Sequence, residues 1–233
     1  MNFAPIEDWL ELPTDSVLEV WEGLVITLQL LCGSVLLALL LALPLALAAT
    51  SGRAWPARLA RGYSAAFRGT PLLVQLFILY YGVSQFEAVR QSPAWWLLED
   101  AFYCGLLALS LNLAAYMAED LRAGILAVPL GEKEAALAMG MSPFQCDRRI
   151  VLPAAWRIAT PALGNEVIAQ LKATALVSTI TVLDLTGVAR RLSNASYTTD
   201  ALVVAGGIYA VITLVVVLAV RRIERRFGPA GRR

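Results

Sequence analysis

Four stretches of this chain carry no charged side chain: residues 23–52, 69–86, 101–118 and 201–220. A fifth, 158–183, is apolar except for Glu166 and Lys172. A helix needs about 20 residues to cross a hydrocarbon core of roughly 30 Å. No water is present there to bond free backbone N–H and C=O groups, so a single crossing segment must satisfy its own backbone as a helix. The 58% hydrophobic content is above the ~45–50% of a soluble domain because of these runs. The expectation is an all-α, polytopic integral membrane protein: one transmembrane domain over 1–233, with five transmembrane helices near 23–49, 69–89, 101–121, 158–183 and 201–220.

The basic residues orient these spans. Residues 53–68, the segments between the third and fourth spans, and the tail after 220 together hold 15 Lys and Arg. The segments 1–22, 87–100 and 184–200 hold three: Arg90, Arg190 and Arg191. The basic side is the cytoplasmic side, which puts the N-terminus outside and the C-terminus in the cytoplasm. Residues 1–22 carry Glu7, Asp8, Glu11, Asp15, Glu19 and Glu22 with no basic residue. A cleavable secretion signal needs a basic start, so the first apolar run is read as a retained span. The acidic segment itself is read as a solvated surface or as a surface that receives an external protein.

Composition also excludes chemistry. Histidine is absent, and Cys32, Cys104 and Cys146 form no paired or CxxC pattern, so neither a metal centre nor a disulfide framework is expected. A Ser–His or metal-dependent intramembrane protease lacks its parts. An aspartyl type lacks a second carboxylate, since only Asp184 approaches a span. No G-x-x-x-x-G-K-[ST] loop occurs, so the chain cannot cradle nucleotide phosphates. It is expected to be no enzyme and to bind no cofactor itself.

Intramembrane charge is costly, about 2.5–3.5 kcal/mol on insertion scales, and marks transport pathways. Glu166 and Lys172 are six residues apart, about 120° around a helix and ~9 Å along it, so they do not pair within one helix. Opposite charges so placed suit a zwitterionic amino acid. Thr70, Gln75, Asn112 and Thr174 are uncharged candidates for the same cavity, each also able to make a helix–helix hydrogen bond. Glu119 and Arg122 are spaced for a local ion pair. Gly69-Thr70-Pro71 reads as the start of the second span, with Pro71 near its first turn.

Residues 131–153, GEKEAALAMGMSPFQCDRRIVLP, form a polar insert on the cytoplasmic side. Glu132–Met139 are strong helix formers, bracketed by Gly131 and Gly140. Ala135 and Ala136 keep that helix thin enough to lie in a groove of another protein. Glu134-Ala135-Ala136, Gly140, Ile150 and Leu152-Pro153 reproduce the pattern EAA-x3-G-x9-I-x-LP. This insert resembles the coupling loop of bacterial ABC importer membrane subunits. Phe67–Leu76 (FRGTPLLVQL), Tyr116–Gly124 (YMAEDLRAG), Asn165–Ile168 (NEVI) and Leu171–Leu176 (LKATAL) resemble the polar amino acid permeases, closest to those for histidine, lysine, arginine and ornithine or for opines. Asp120 departs from them, where relatives more often carry an apolar residue.

The resemblance implies the type I importer transmembrane fold and a multi-pass place in the bacterial inner membrane. It also implies three partners: a second, homologous permease subunit, a dimer of ATP-binding cassette ATPases that bind ATP and Mg, and a periplasmic amino acid-binding protein. By the same resemblance, Gly131, Glu134, Ala135, Ala136 and Gly140 would couple to the ATPase, and Asn165 would join Glu166, Lys172, Thr70, Gln75, Asn112 and Thr174 at the substrate. The alternative is a stand-alone ion-coupled transporter, which usually shows internal repeats and more spans.

Overall fold

The computed structural model describes residues 14–93 and 95–227. Glu7, Asp8, Glu11 and the basic Arg232 and Arg233 lie outside them. Every regular element among the described residues is helical. Helix α1 (Thr14–Thr50), α6 (Ala101–Leu126) and α11 (Asp200–Phe227) are long and apolar. Between them lie α2 (Ala54–Gly69), α3 (Leu72–Phe77), the short α4 (Glu87–Arg90) and α5 (Trp95–Leu98), α7 (Leu130–Ala138), α8 (Pro143–Cys146), α9 (Leu152–Thr174) and α10 (Leu185–Ser196).

Among the described residues, three helices are long and apolar enough to cross a membrane singly. Counting each of two bent pairs as one span gives up to five: α2 with Leu72–Gln85, bent by 101°, and Pro143–Ile180 with α10, bent by 51°. The second uncharged run therefore sits in a helix that starts only at Leu72 and loosens into a π turn at Ile78–Gly82 and a 3-10 turn at Val83–Gln85. The basic segment before it is helical in its own right. The fourth run is the later part of a longer helical path, which begins at Pro143 and passes a π turn at Asp147–Val151 before α9.

The middle of α1 inverts the packing rule for water-soluble helices. On α1, Ala38, Ala42 and Ala46 recur every four residues and are fully buried, while Leu36 and Leu40 are more than 60% exposed. In lipid, burying leucine between helices gains nothing over leaving it in the acyl chains, whereas small residues let backbones approach. That alanine stripe packs on Leu113, Ala114, Met117, Ala118 and Leu121 of α6, and the same cluster continues into Val151, Ala155 and Ala159 at the start of α9. Helix α11 is barely covered, with Val203, Val211, Leu214 and Val215 all exposed.

Helices α6 and α9 approach closely at Gly124, where an added Cβ would lie 2.6 Å from the Ala155 carbonyl oxygen and 3.2 Å from the Ala159 Cβ. Backbone cannot swing aside as a side-chain tip can. Gly124→Ala is expected to destabilise the fold by about 1–3 kcal/mol, read as a lowered thermal midpoint in detergent. Gly62→Ala, which meets nothing within 4 Å, is expected to be neutral or slightly stabilising through helix propensity.

Candidate functional site

The break between α2 and α3 follows from one missing proton. Pro71 has no N–H, so the carbonyl of Phe67, four residues earlier, loses the partner that a continuing helix would supply. Two side chains replace it: Gln75 Nε2 donates to Phe67 O at 2.8 Å and Asn112 Nδ2 at 3.2 Å. Gln75 also donates to Thr70 O (3.1 Å) and Thr70 Oγ1 (2.7 Å), and its own Oε1 accepts from Asn112 at 3.1 Å. Thr70 Oγ1 donates to Ala66 O at 2.8 Å. Thr70, Gln75 and Asn112 thus come together, but in a knot that closes the end of α2. Their polar atoms are largely spent on the backbone. Asn112 lies near the middle of α6, and Tyr63 Oη donates to Leu111 O beside it at 2.7 Å, so the corner sits at mid-height of that helix.

Helix α9 divides the other candidates by face. Asn165, Ala169 and Lys172 recur at helical spacing and are all exposed. Gln170, Leu171 and Thr174 are buried. Thr174 Oγ1 donates to Leu171 O at 2.6 Å, and Gln170 Nε2 donates to Ser34 Oγ at 2.9 Å and Leu109 O at 3.4 Å, tying α9 to α1 and α6. Glu166 is half-buried on the side toward α6, within electrostatic reach of Asp120 and Arg68. No hydrogen bond or ion pair holds Glu166 or Lys172 among the described residues. The structure therefore brings Asn165 and Lys172 onto one open face, sets Glu166 at its edge, and places Thr174 inside the bundle.

Around Glu166 lies a charged cluster. Arg122 pairs with Glu119, its Nε donating to Oε2 at 2.9 Å and its Nη2 meeting Oε1. Arg68 lies over the ring of Tyr116, 5.4 Å from its centroid. Asp120 Oδ2 is out of solvent with no donor. The motif FRGTP contained Arg68, but nothing in the residue order shows that it reaches Tyr116.

A second polar centre forms at the start of α10, around the aspartate that the sequence placed only at the end of a span. Asp184 is fully buried and caps α10, its Oδ1 accepting from Gly187 N at 2.9 Å and its Oδ2 from Tyr209 Oη at 3.2 Å. Leu185 N donates to Thr27 Oγ1 at 3.0 Å. This centre locks α10 to α1 and α11. Asp followed three residues later by glycine, ahead of the amphipathic LTGVARRL, is a helix-start signal that could have located it.

The 131–153 insert forms α7, a Schellman turn and α8. Met141 N donates to Ala136 O (3.1 Å) and Gly140 N to Leu137 O (3.0 Å), with Gly140 at φ +82°, the left-handed conformation that glycine takes most readily. Ser142 and Gln145 form a reciprocal capping box at α8. Of α7 only Ala136 is buried. It packs with Met141, Cys146, Val128, Ile125 and Val151, the lower end of the main core. Gly131, Glu134, Ala135 and Gly140 face solvent, as do Leu130, Leu137, Met139 and Phe144.

Comparisons with known proteins bear on family and fold. Residues 34–229 match the family described as binding-protein-dependent transport system inner membrane component. The chain is 46% identical, over all of its length and 93% of the relative, to the octopine transport system permease protein OccM of Rhizobium radiobacter. It is 42% identical to the histidine/lysine/arginine/ornithine permease protein HisM of Salmonella typhimurium, covering 88% of each. Among solved structures, an amino acid ABC transporter crystallised with histidines superposes with a TM-score of 0.83 at 34% identity, over 97% of this chain and 100% of that one. A methionine ABC transporter, MetNI, gives 0.78 at 18% identity over 94% of this chain and 100% of that one, which speaks for the fold alone. The stand-alone ion-coupled alternative falls with this result. The chain belongs to the binding-protein-dependent inner membrane component family, and it is a multi-pass ABC transporter permease with the type I importer fold.

Proposed function

We propose that this chain forms half of the translocation pathway of an importer for basic amino acids or opines, driven by a separate ATPase that grips α7. The observation that carries the coupling role is the exposure pattern of α7 and α8. Leu130, Leu137, Met139 and Phe144 stand open beside Glu132 and Glu134, on a segment too polar to lie in lipid. An apolar patch with a charged rim on a surface helix marks a protein interface. The chain has no phosphate-cradling loop, so the partner that supplies energy is the ATPase and holds ATP and Mg. The contact of Ala136 and Met141 with the lower core passes displacement of α7 into α6 and α9. The excess of basic residues supports a cytoplasmic site for this loop and the C-terminus, and an external N-terminus.

The substrate class rests on α9. The exposed face with Asn165 and Lys172 is polar at membrane depth, which suits a water-filled path or a second permease subunit better than lipid. Glu166 at its edge would attract a cationic side chain, and Lys172 a carboxylate. The thinly covered α11 leaves an apolar face for lipid or for the second permease. A periplasmic binding protein would deliver substrate to the outer end.

Reconstituted with its ATPase, second permease and binding protein, Glu134→Arg is expected to lower stimulation of ATP hydrolysis by loaded binding protein about tenfold or more, since a misplaced interface charge commonly costs 2–5 kcal/mol. Undiminished stimulation removes Glu134 from the interface. Uptake into vesicles should depend on Glu166 by ligand charge. Glu166→Gln is expected to lower import of arginine or ornithine by about tenfold and to leave import of an uncharged amino acid unchanged. Equal loss for both would mark Glu166 as structural.

A further inference from the structure

A cavity of about 300 Å³ lies where the 3-10 turn after α9 meets α10, lined by Ser178, Thr181, Gly187, Arg190, Arg191 and Asn194 among others. We propose that it is an outer binding site for the carboxylate of an incoming amino acid, with Arg190 as its counter-ion. The proposal rests on the importer reading above, which puts this end of the bundle outside.

Four features of the site point this way. First, the two arginines are not equivalent. Arg191 is engaged with Glu19 of α1 at 2.9 Å, a pair that meets the distance for an ion pair although Glu19 Oε2 gains no well-aligned hydrogen bond. Arg190 is exposed and makes no ion pair or hydrogen bond among the described residues, yet it lines the cavity. Second, Asn194 stands one turn beyond Arg190 on the same face of α10, so an amide and a guanidinium converge from a single helix. A guanidinium presents paired N–H donors that match a carboxylate. Third, α10 is a rigid support. Asp184, Thr27 and Tyr209 fix its start, and at Gly187 an added Cβ would lie 2.5 Å from the Val182 carbonyl oxygen. Fourth, the cavity's other wall includes Thr181 in the left-handed region, φ 72° and ψ 2°. A β-branched residue adopts that conformation only where its surroundings impose it, and such residues gather at functional sites. Its hydroxyl lies 3.4 Å from that of Tyr80 in the π turn after α3.

The volume is at the lower end of that of small-molecule pockets, ~300–1,000 Å³, enough for one amino acid. The cavity begins six residues past Lys172, about 9–12 Å farther along the helix axis. A carboxylate would thus meet Arg190 first and Lys172 second.

The test compares L-arginine with agmatine, its counterpart without the carboxylate. Tritiated forms of each are equilibrated with the assembled transporter in lipid discs, without binding protein. The wild-type assembly is expected to hold arginine about tenfold more tightly than agmatine. Arg190→Gln is expected to remove most of the arginine-to-agmatine difference, the remainder belonging to Lys172, and to leave agmatine unmoved, and Arg190→Lys to keep most of the difference. A wild-type assembly that does not distinguish the two ligands overturns the proposal. So does an arginine-to-agmatine ratio that is unchanged by Arg190→Gln. A change confined to the binding-protein concentration needed to stimulate the ATPase also overturns it, and gives the cavity to an acidic protein surface instead. Wild-type vesicles run in parallel separate the two levels. If they import no basic amino acid the importer reading fails. If they import and the ratio is insensitive to Arg190, only the outer site fails.

Discussion

A backbone carbonyl carried into hydrocarbon must find its donor inside the protein, and much of this architecture follows from that requirement. Pro71 withholds the donor that Phe67 O would have used. The answer is a knot in which Gln75 and Asn112 donate to that oxygen while Thr70 and Gln75 bond each other. Because Asn112 belongs to α6, the bend of 101° between α2 and α3 is held by a neighbouring helix. The start of α10 obeys the same rule, with the buried Asp184 taking up Gly187 N and Thr27 taking up Leu185 N. In both places an irregular stretch of chain survives because side chains from other helices complete it.

Between these fixed points the helices are held by closeness rather than by expulsion of water. Alanines on α1, Gly124 on α6 and Ala155 and Ala159 on α9 bring backbones together, while Leu36 and Leu40 of α1 point outward. A bundle packed this way can slide or rock with little change in exposed apolar area, because lipid replaces protein at similar free energy. That property suits a permease that must open alternately to two sides.

The lower end of the bundle closes on the α7 segment. The cluster that joins α1, α6 and α9 ends on Ala136, Met141 and Cys146, so the thin helix α7 is the last layer of the core. The π turn at Asp147–Val151 lies between this contact and α9. Wide turns of this kind recur at functional sites in helices, and here one separates the polar α7–α8 segment from the long helix α9.

The order of residues alone determined that the chain crosses the membrane through apolar helices, which composition and run length dictate. It determined the family as well, because the EAA pattern and the motifs around Phe67, Tyr116 and Asn165 are local strings. It also indicated that Glu166 and Lys172 would not pair, since helical geometry fixes their separation. Tertiary structure decided which polar residues remain free. Thr70, Gln75, Asn112 and Thr174 are alike in sequence as polar residues in apolar runs, yet all four bond to backbone, while Asn165 and Lys172 are left open. It also decided that Arg190 is unengaged where Arg191 is not, and that Asp184 lies buried against Tyr209. Whether a polar side chain is spent or available depends on which helix stands opposite it, and local periodicity does not carry that information.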